Sequence, residues 1–586
     1  MKYLGMCCDR LRVKDNGFKR TKEGEELRER TWFSLVDGDE GMPAEKAIRY
    51  ENAQNGTDDA EGLFARICYR TYGVWQITEP YDQKEYVLYD LAEAGVTSVV
   101  GGPMLVREGL YVTVPPGKKF SRLEVVNVSE TDLDDRKEVL PVPEPVLETE
   151  TLQFIKNEAI YESDSPYPSG YAEFTGQEQV LGTECVHLYI YPMHYRPKSK
   201  VVSVVNEMEI RVWFEDDSLS VDSVGKSCKS FHNEAFGSLL LGHSELYQAD
   251  SVEKPKMIIV TTAELEYSMK IFEGVKTFQY DVEVVLTKDI YAKYPDKEQD
   301  EAILAYLMKR YENDKISYVI LGGDVNQIPT HKVNNEYASD SYYCTDGKTV
   351  IPRFALSRFP ARNKAELNQQ TDIASYYDRH YDEKIRHKAV FTTHKQSDYV
   401  ECKEKIAADM ATKSAFQIQK CYDGKCSKND LINAINQGTA FVNYRGHGSD
   451  TSWSSSIGLS TKDVPNLDVK TNTPIVLSIA CNNNNLYIDE CLGACWIRNE
   501  KSVAFLGASN PSYTTTNHYY DKYLWEAVYN QNLSTIGDIY VWATLKLYQN
   551  HKGTTTEVNI REYLLLGDAS ADYLADDTAH NTHKEG

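Results

Sequence analysis

From Met257 onward the chain alternates short, wholly apolar runs with segments of helical period, and that alternation constrains the fold more than any other feature. The runs are MIIVTT, DVEVVLT, ISYVILGGD, KAVFTT, TAFVNYRG, TPIVLSIAC and KSVAFLGAS, and all but DVEVVLT lack the in-and-out pattern of a half-exposed strand. Helices are predicted between them, over EAILAYLMKRYE and KEKIAADMATK. Strands that are apolar on both faces must be covered on both faces, so the reading is an α/β, doubly wound, mostly parallel sheet.

The chain before residue 235 has a different texture. GLYVTVPPGKKFSRLEVVNV and KVVSVVNEMEIRVWFE alternate as strands do, with proline and glycine between them. LPVPEPVLETETL, from Leu140, reads as an extended crossing loop. The expected organisation is a β-rich domain over 1–235, a linker over 236–256, an α/β domain over 257–576 and a polar tail over 577–586. Lys226, Lys229, Lys254 and Lys256 around the linker are candidate processing sites.

With 64 Lys and Arg against 88 Asp and Glu, the net charge of −24 argues against nucleic acid or an anionic membrane as partner. No uninterrupted apolar stretch approaches the roughly 18 residues that span a bilayer. At the N-terminus, MKYLGMCCDRLRVKD becomes charged again at Asp9 and Arg10, so no signal peptide is read there. Twelve cysteines are too sparse for a disulfide framework. Cys421 and Cys426 bracket a turn, whereas Ile488, Cys491, Leu492, Cys495 and Trp496 recur at helical spacing and read as core-facing. A metal-thiolate site built from Cys481, Cys491 and Cys495 is therefore disfavoured.

Ligands of an open α/β sheet bind beyond the carboxyl ends of its strands. His447, flanked by Gly446 and Gly448, follows one such end, Cys481 follows the next, and Tyr513 follows a third. A cysteine nucleophile needs its thiolate, and a neighbouring imidazole can take the proton. The amides of Gly448 and Cys481 are candidate donors to an oxyanion. The competing reading makes Cys481 a buried strand-end thiol and His447 a loop residue.

NYRGHGS, followed about 34 residues later by an apolar strand ending Ala-Cys-Asn and then by VAFLGAS, resembles the gingipain-type cysteine peptidases, peptidase family C25 of the caspase-like clan. YVILGGDVNQIPTH, RFALSRFPARNKAELNQQ and LLLGDAS extend the resemblance over about residues 255–576, and YPSGYAEFTG and LYVTVPPG are similar to the family's propeptide. The resemblance implies a caspase-like fold and a cysteine endopeptidase made as a zymogen, acting on protein or peptide substrates and restrained by its own prodomain. It makes Cys481 the nucleophile and His447 the catalytic histidine. It further implies cleavage after Arg or Lys, with Asp398 or Asp521 as the pocket carboxylate and Tyr513 as a pocket wall. The glutamate that orients the histidine in gingipain R has no clean match, and His394 or Gln396 occupies its neighbourhood. No cofactor is required, a structural calcium ion is compatible with the family, and a secreted or cell-surface setting is implied. With about ten polar residues after the sheet's last element, a counterpart of the gingipains' C-terminal immunoglobulin-like domain is not expected within this sequence. The alternative function is a catalytically inactive, surface-binding or adhesive relative.

Overall fold

The computed structural model describes residues 12–13, 30–35, 45–55, 63–148, 150–217, 234–243, 254–380, 382–469 and 473–574. The chain forms two compact units: one of residues 1–144, 152–250 and 549–551, the other of residues 145–151, 251–548 and 552–586. Residues 145–151 thus pack with the second unit, although both their chain neighbours belong to the first.

The first unit is β-rich, as the alternation predicts. Val106–Thr113 is buried throughout and pairs with Thr183–Ile190, which turns back at Leu181 and Gly182 to Ala172–Val180. Val201–Asp216 pairs with Leu63–Thr71 on one side and Lys118–Asp132 on the other. Leu240–Leu241, inside the expected linker, runs parallel to Tyr111–Val112, so the sheet continues past residue 235.

In the second unit a ten-stranded sheet carries the fold. Its strands are β1 (Lys256–Thr261), β2 (Asp281–Leu286), β3 (Ile316–Gly322), β4 (Ala355–Phe359), β5 (Lys388–Thr393), β6 (Gln417–Tyr422), β7 (Phe441–Arg445), β8 (Ile475–Ile479), β9 (Ala504–Ala508) and β10 (Tyr563–Gly567). They lie in the order β2-β1-β3-β4-β10-β9-β8-β7-β5-β6. All neighbouring pairs are parallel except β9 and β10. Two parallel halves of opposite direction are therefore joined at one antiparallel seam. β3, β4, β7, β8, β9 and β10 are buried at every residue, which is why their runs are mostly apolar and do not alternate with exposed residues.

Of the candidate processing sites, Lys256 stands inside β1 and Lys254 two residues before it, while Lys226 and Lys229 lie outside the described residues. The helix predicted from the spacing of Ile488 to Trp496 begins only at Leu492, with Cys491 as its N-cap residue. Cys491 and Cys495 do face the core, and all cysteines among the described residues are free thiols, Cys421 and Cys426 included.

Lys276, the last residue of the helix Glu266–Lys276, is 1 % exposed and meets two carboxylates, Asp378 on the helix Lys364–Arg379 and Asp568 just after β10 at 2.6 Å. Removing the ammonium leaves two like charges together without water, which costs more than the pair itself contributes. Lys276→Met is expected to destabilise the second unit by about 3–5 kcal/mol, read as a lowered urea midpoint with an unchanged slope.

Candidate active site

β7 and β8 pair in parallel from Phe441 opposite Ile475 to Arg445 opposite Ile479. Both chains leave the sheet two residues before His447 and Cys481, so these two residues emerge side by side from the same edge. Close approach explains the glycines. A Cβ on Gly448 would lie 2.3 Å from the carbonyl oxygen of Cys481, and one on Gly446 would lie 2.7 Å from the Cβ of His394. The main chain at His447 is fixed by two donors to its carbonyl, Ser454 N–H at 2.8 Å and Tyr444 O–H at 2.9 Å.

Cys481 is followed by Asn482 with φ of 62°, a left-handed turn that asparagine tolerates better than most residues. The polar run NNNN then anchors this turn. Asn483 donates to the Ser449 carbonyl at 2.6 Å, Asn484 to the Leu564 carbonyl at 2.8 Å, and Asn485 to Asp450 Oδ1 at 3.1 Å. Asn483 and Asn484 are fully buried, so each unmade bond would leave a desolvated amide.

The thiol of Cys481 is buried and accepts from Ser512 N–H at 3.3 Å, with Ser512 Oγ at 3.6 Å. Burial pushes it up to about 11, the nearby carboxylate of Glu148 adds to the rise, and the Ser512 amide works against it. His447 Nε2 lies 2.5 Å from Gln396 Oε1, and Nδ1 lies 3.5 Å from the Tyr399 hydroxyl. His394 stands with its ring 5.0 Å from that of His447. Burial, then the neighbouring His394 and Arg445, holds His447 below the usual imidazole range. Among the described residues no hydrogen bond joins the imidazole to the thiol; Gln396 and Ser512 hold them instead.

The other expected site residues are placed as follows. Tyr513 is half-buried, and its amide donates to Asn559 Oδ1 at 3.0 Å. Asp398 lies in the first turn of the helix Ser397–Lys413, partly exposed, with Oδ2 3.9 Å from His518 Nε2. Asp521 departs from expectation. It is fully buried on the helix Thr514–Tyr529 and its carboxylate is taken by Lys403, so it is a core ion pair rather than a pocket wall. Among the described residues no cluster of three or more His, Cys, Asp or Glu side chains is placed to hold a metal ion, so a calcium site has no donor set to test.

Sequence reasoning passed over Arg445 and Glu148. Arg445 ends β7, is fully buried, and spans Glu148, the Thr514 carbonyl at 3.0 Å, His518 Nδ1 at 3.3 Å and the face of Tyr399 at 4.5 Å. Glu148 is 297 positions away in sequence. The available signal was an arginine closing an otherwise apolar strand, since a buried guanidinium requires a partner.

Residues 250–573 match the model of peptidase family C25, and residues 82–236 match that of the C25 propeptide. The chain belongs to peptidase family C25. The match to the propeptide model falls N-terminal to the match to the peptidase model. Among curated relatives it is 25 % identical to gingipain R2 of Porphyromonas gingivalis, over 53 % of this chain and 44 % of that one. It is 23 % identical to Lys-gingipain W83 of the same organism, over 63 % of this chain and 22 % of the relative. The chain thus spans less than half the length of these relatives. The solved structure of the Arg-specific cysteine proteinase gingipain R superposes with a TM-score of 0.50 at 23 % identity, covering 55 % of this chain and 79 % of that one, and shares its fold.

Two outcomes follow from the site. Gly448→Ala is expected to displace the Cys481 carbonyl and slow alkylation of Cys481 by a peptidyl acyloxymethyl ketone by at least about tenfold, with urea stability changing far less. Glu562, whose carboxyl reaches Asn510 at 3.1 Å, is pushed up to about 8 by burial. Its folded value lies above its unfolded one, so the folded chain keeps a proton that the unfolded chain has lost, and stability falls as pH rises from about 4.3 to about 8. Glu562→Gln should remove up to roughly 1.4 kcal/mol per pH unit of that slope, measured by urea unfolding at pH 5.5 and 8.5.

Proposed function

We propose that this chain is a cysteine endopeptidase in which Cys481 attacks the carbonyl carbon of the bond to be cut and His447 carries the proton. The observation that carries the reading is the parallel register of β7 and β8, which delivers both side chains to one edge. The thiol proton passes to the imidazole, the sulfur bonds to the carbonyl carbon, and the amine leaves with that proton. Water then gives a proton to the imidazole and attacks the thioester, releasing the carboxyl product and regenerating the thiol. Gln396, accepting from Nε2–H, favours the tautomer with Nδ1 unprotonated, the nitrogen 3.5 Å from the Tyr399 hydroxyl, and is the positioning residue in place of a carboxylate.

A zymogen form is part of the same reading. Val146–Glu148, within the span matched by the propeptide model, lies along Ser512–Thr514 and brings a carboxylate toward a thiol already deactivated by burial. For the residue before the cut bond, the Arg-specific and Lys-gingipain relatives suggest Arg or Lys. A basic side chain there would have Asp398 as its carboxylate, since Asp521 is held by Lys403.

Cys481→Ala and His447→Ala should each lower activity on the order of a thousandfold or more without a change in fold. Purified full-length protein should shorten on incubation while Cys481→Ala stays whole. Turnover by Cys481→Ala within tenfold of wild type would remove the dyad from the mechanism, and an intact wild-type chain with full activity would remove the zymogen. A surface-binding protein without activity would leave both chains whole and Cys481 unlabelled by an acyloxymethyl ketone.

A further inference from the structure

Val146–Glu148 lies along Ser512–Thr514 as a short antiparallel strand. Glu148 N–H donates to the Ser512 carbonyl at 3.1 Å, Thr514 N–H donates to the Val146 carbonyl at 3.1 Å, and Leu147 pairs with Tyr513. Peptides recognised in this way receive affinity from the main chain and selectivity from the pocket under an alternate side chain. Here that side chain is Glu148, with no exposed surface. Ser512 connects it to the nucleophile, because the amide that accepts no other role holds Cys481 Sγ while the carbonyl of the same residue holds Glu148.

The pocket around Glu148 meets its carboxylate through one oxygen, Oε1, while Oε2 is buried without a hydrogen-bond partner. Arg445, itself without exposed surface, pairs with Oε1, and Asn517 Nδ2 donates to the same oxygen at 2.7 Å. The Asn517 amide is held in that orientation: its Oδ1 accepts from Tyr563 O–H and from Asn559 Nδ2, both at 2.8 Å, and its Nδ2 also donates to Ser512 Oγ at 2.8 Å. An amide fixed with its N–H outward offers nothing to an ammonium or guanidinium. Asp398 is the opposing charge at this pocket, together with the Tyr399 and His518 rings, but it is partly exposed and its attraction for a cation is screened, whereas Arg445 is desolvated.

We infer that the pocket lined by Arg445, Asn517 and Ser512 receives the acidic side chain of the residue before the cut bond, so that the substrates are peptides carrying glutamate at that position, and Glu148 occupies the pocket in the manner of such a substrate. This assignment rests on the peptidase reading and reverses the charge preference that the relatives suggest.

The test uses the full chain and two acyloxymethyl ketone probes, Val-Leu-Glu and Val-Leu-Arg, with labelling of Cys481 followed by mass spectrometry. The Glu probe should label at least about a hundredfold faster than the Arg probe, and Arg445→Gln should collapse that ratio toward one. Should Arg445→Gln fail to fold, Glu148 decides: Glu148→Gln and Glu148→Arg should both free the pocket and speed labelling by the Glu probe. Faster labelling by the Arg probe, or slower labelling of Glu148→Arg than of wild type, overturns the acidic pocket and leaves the peptidase standing. Absence of labelling by both probes in every variant overturns the peptidase reading and this inference with it.

Discussion

The parallel pairing of β7 with β8 is the constraint on which the site depends. Each residue of one strand faces the residue 34 positions later on the other, and the offset is unbroken over five pairs. A slip of one residue would turn every side chain of the strand to the opposite face of the sheet. Both strands are buried at all five positions, so such a slip would expose nothing to water and would instead collide with the packing on both sides. The register is held by close packing, and the chemistry inherits its placement from that packing.

Buried polar groups in β7 and β8 are costly, and those of Asn443 and Ser478 have partners. Buried Asn443 at the middle of β7 joins Lys403 and receives the indole N–H of Trp525 at 2.7 Å, and its own amide donates to the Leu477 carbonyl at 2.9 Å. Ser478 in β8 takes the Trp453 indole N–H at 2.8 Å and passes its own proton to Asn483. Through Asn483 the turn after Cys481 is connected to the hairpin Gly448–Trp453 that follows His447. The two loops thus share a hydrogen-bond network that a purely apolar edge could not supply.

The strands were legible in the sequence because a doubly covered strand has a run of apolar residues with few exceptions, and the exceptions in β7 and β8, Asn443, Arg445 and Ser478, are all hydrogen-bonded. The placement of His447 and Cys481 at one sheet edge was legible for the related reason that a loop after a buried strand has few places to go. The direction of β10 was not, since LLLG reads alike in either orientation. Glu148 was illegible for a different reason: in LPVPEPVLETETL it is one acid among several, and only a partner 297 positions away distinguishes it from its solvated neighbours. Asp521 shows the converse. Its sequence surroundings resemble a pocket wall, and its fate was decided by Lys403 on another helix.

The seam between β9 and β10 bears on how the molecule is assembled during synthesis. β5 to β9 occupy a continuous stretch, residues 388–508, and pair only among themselves until β10 arrives. β1 to β4 emerge from the ribosome earlier, yet their open edge at β4 meets β10 only through Arg358 opposite Leu566, some 200 residues later in translation. For that interval two half-sheets coexist, each with an unpaired inner edge, and such edges are templates for pairing with another chain. Residues 563–567 are therefore the closing piece of a sheet that cannot be made whole from either half, and a ribosome that stalls before them releases a chain with two adhesive edges in place of one continuous sheet.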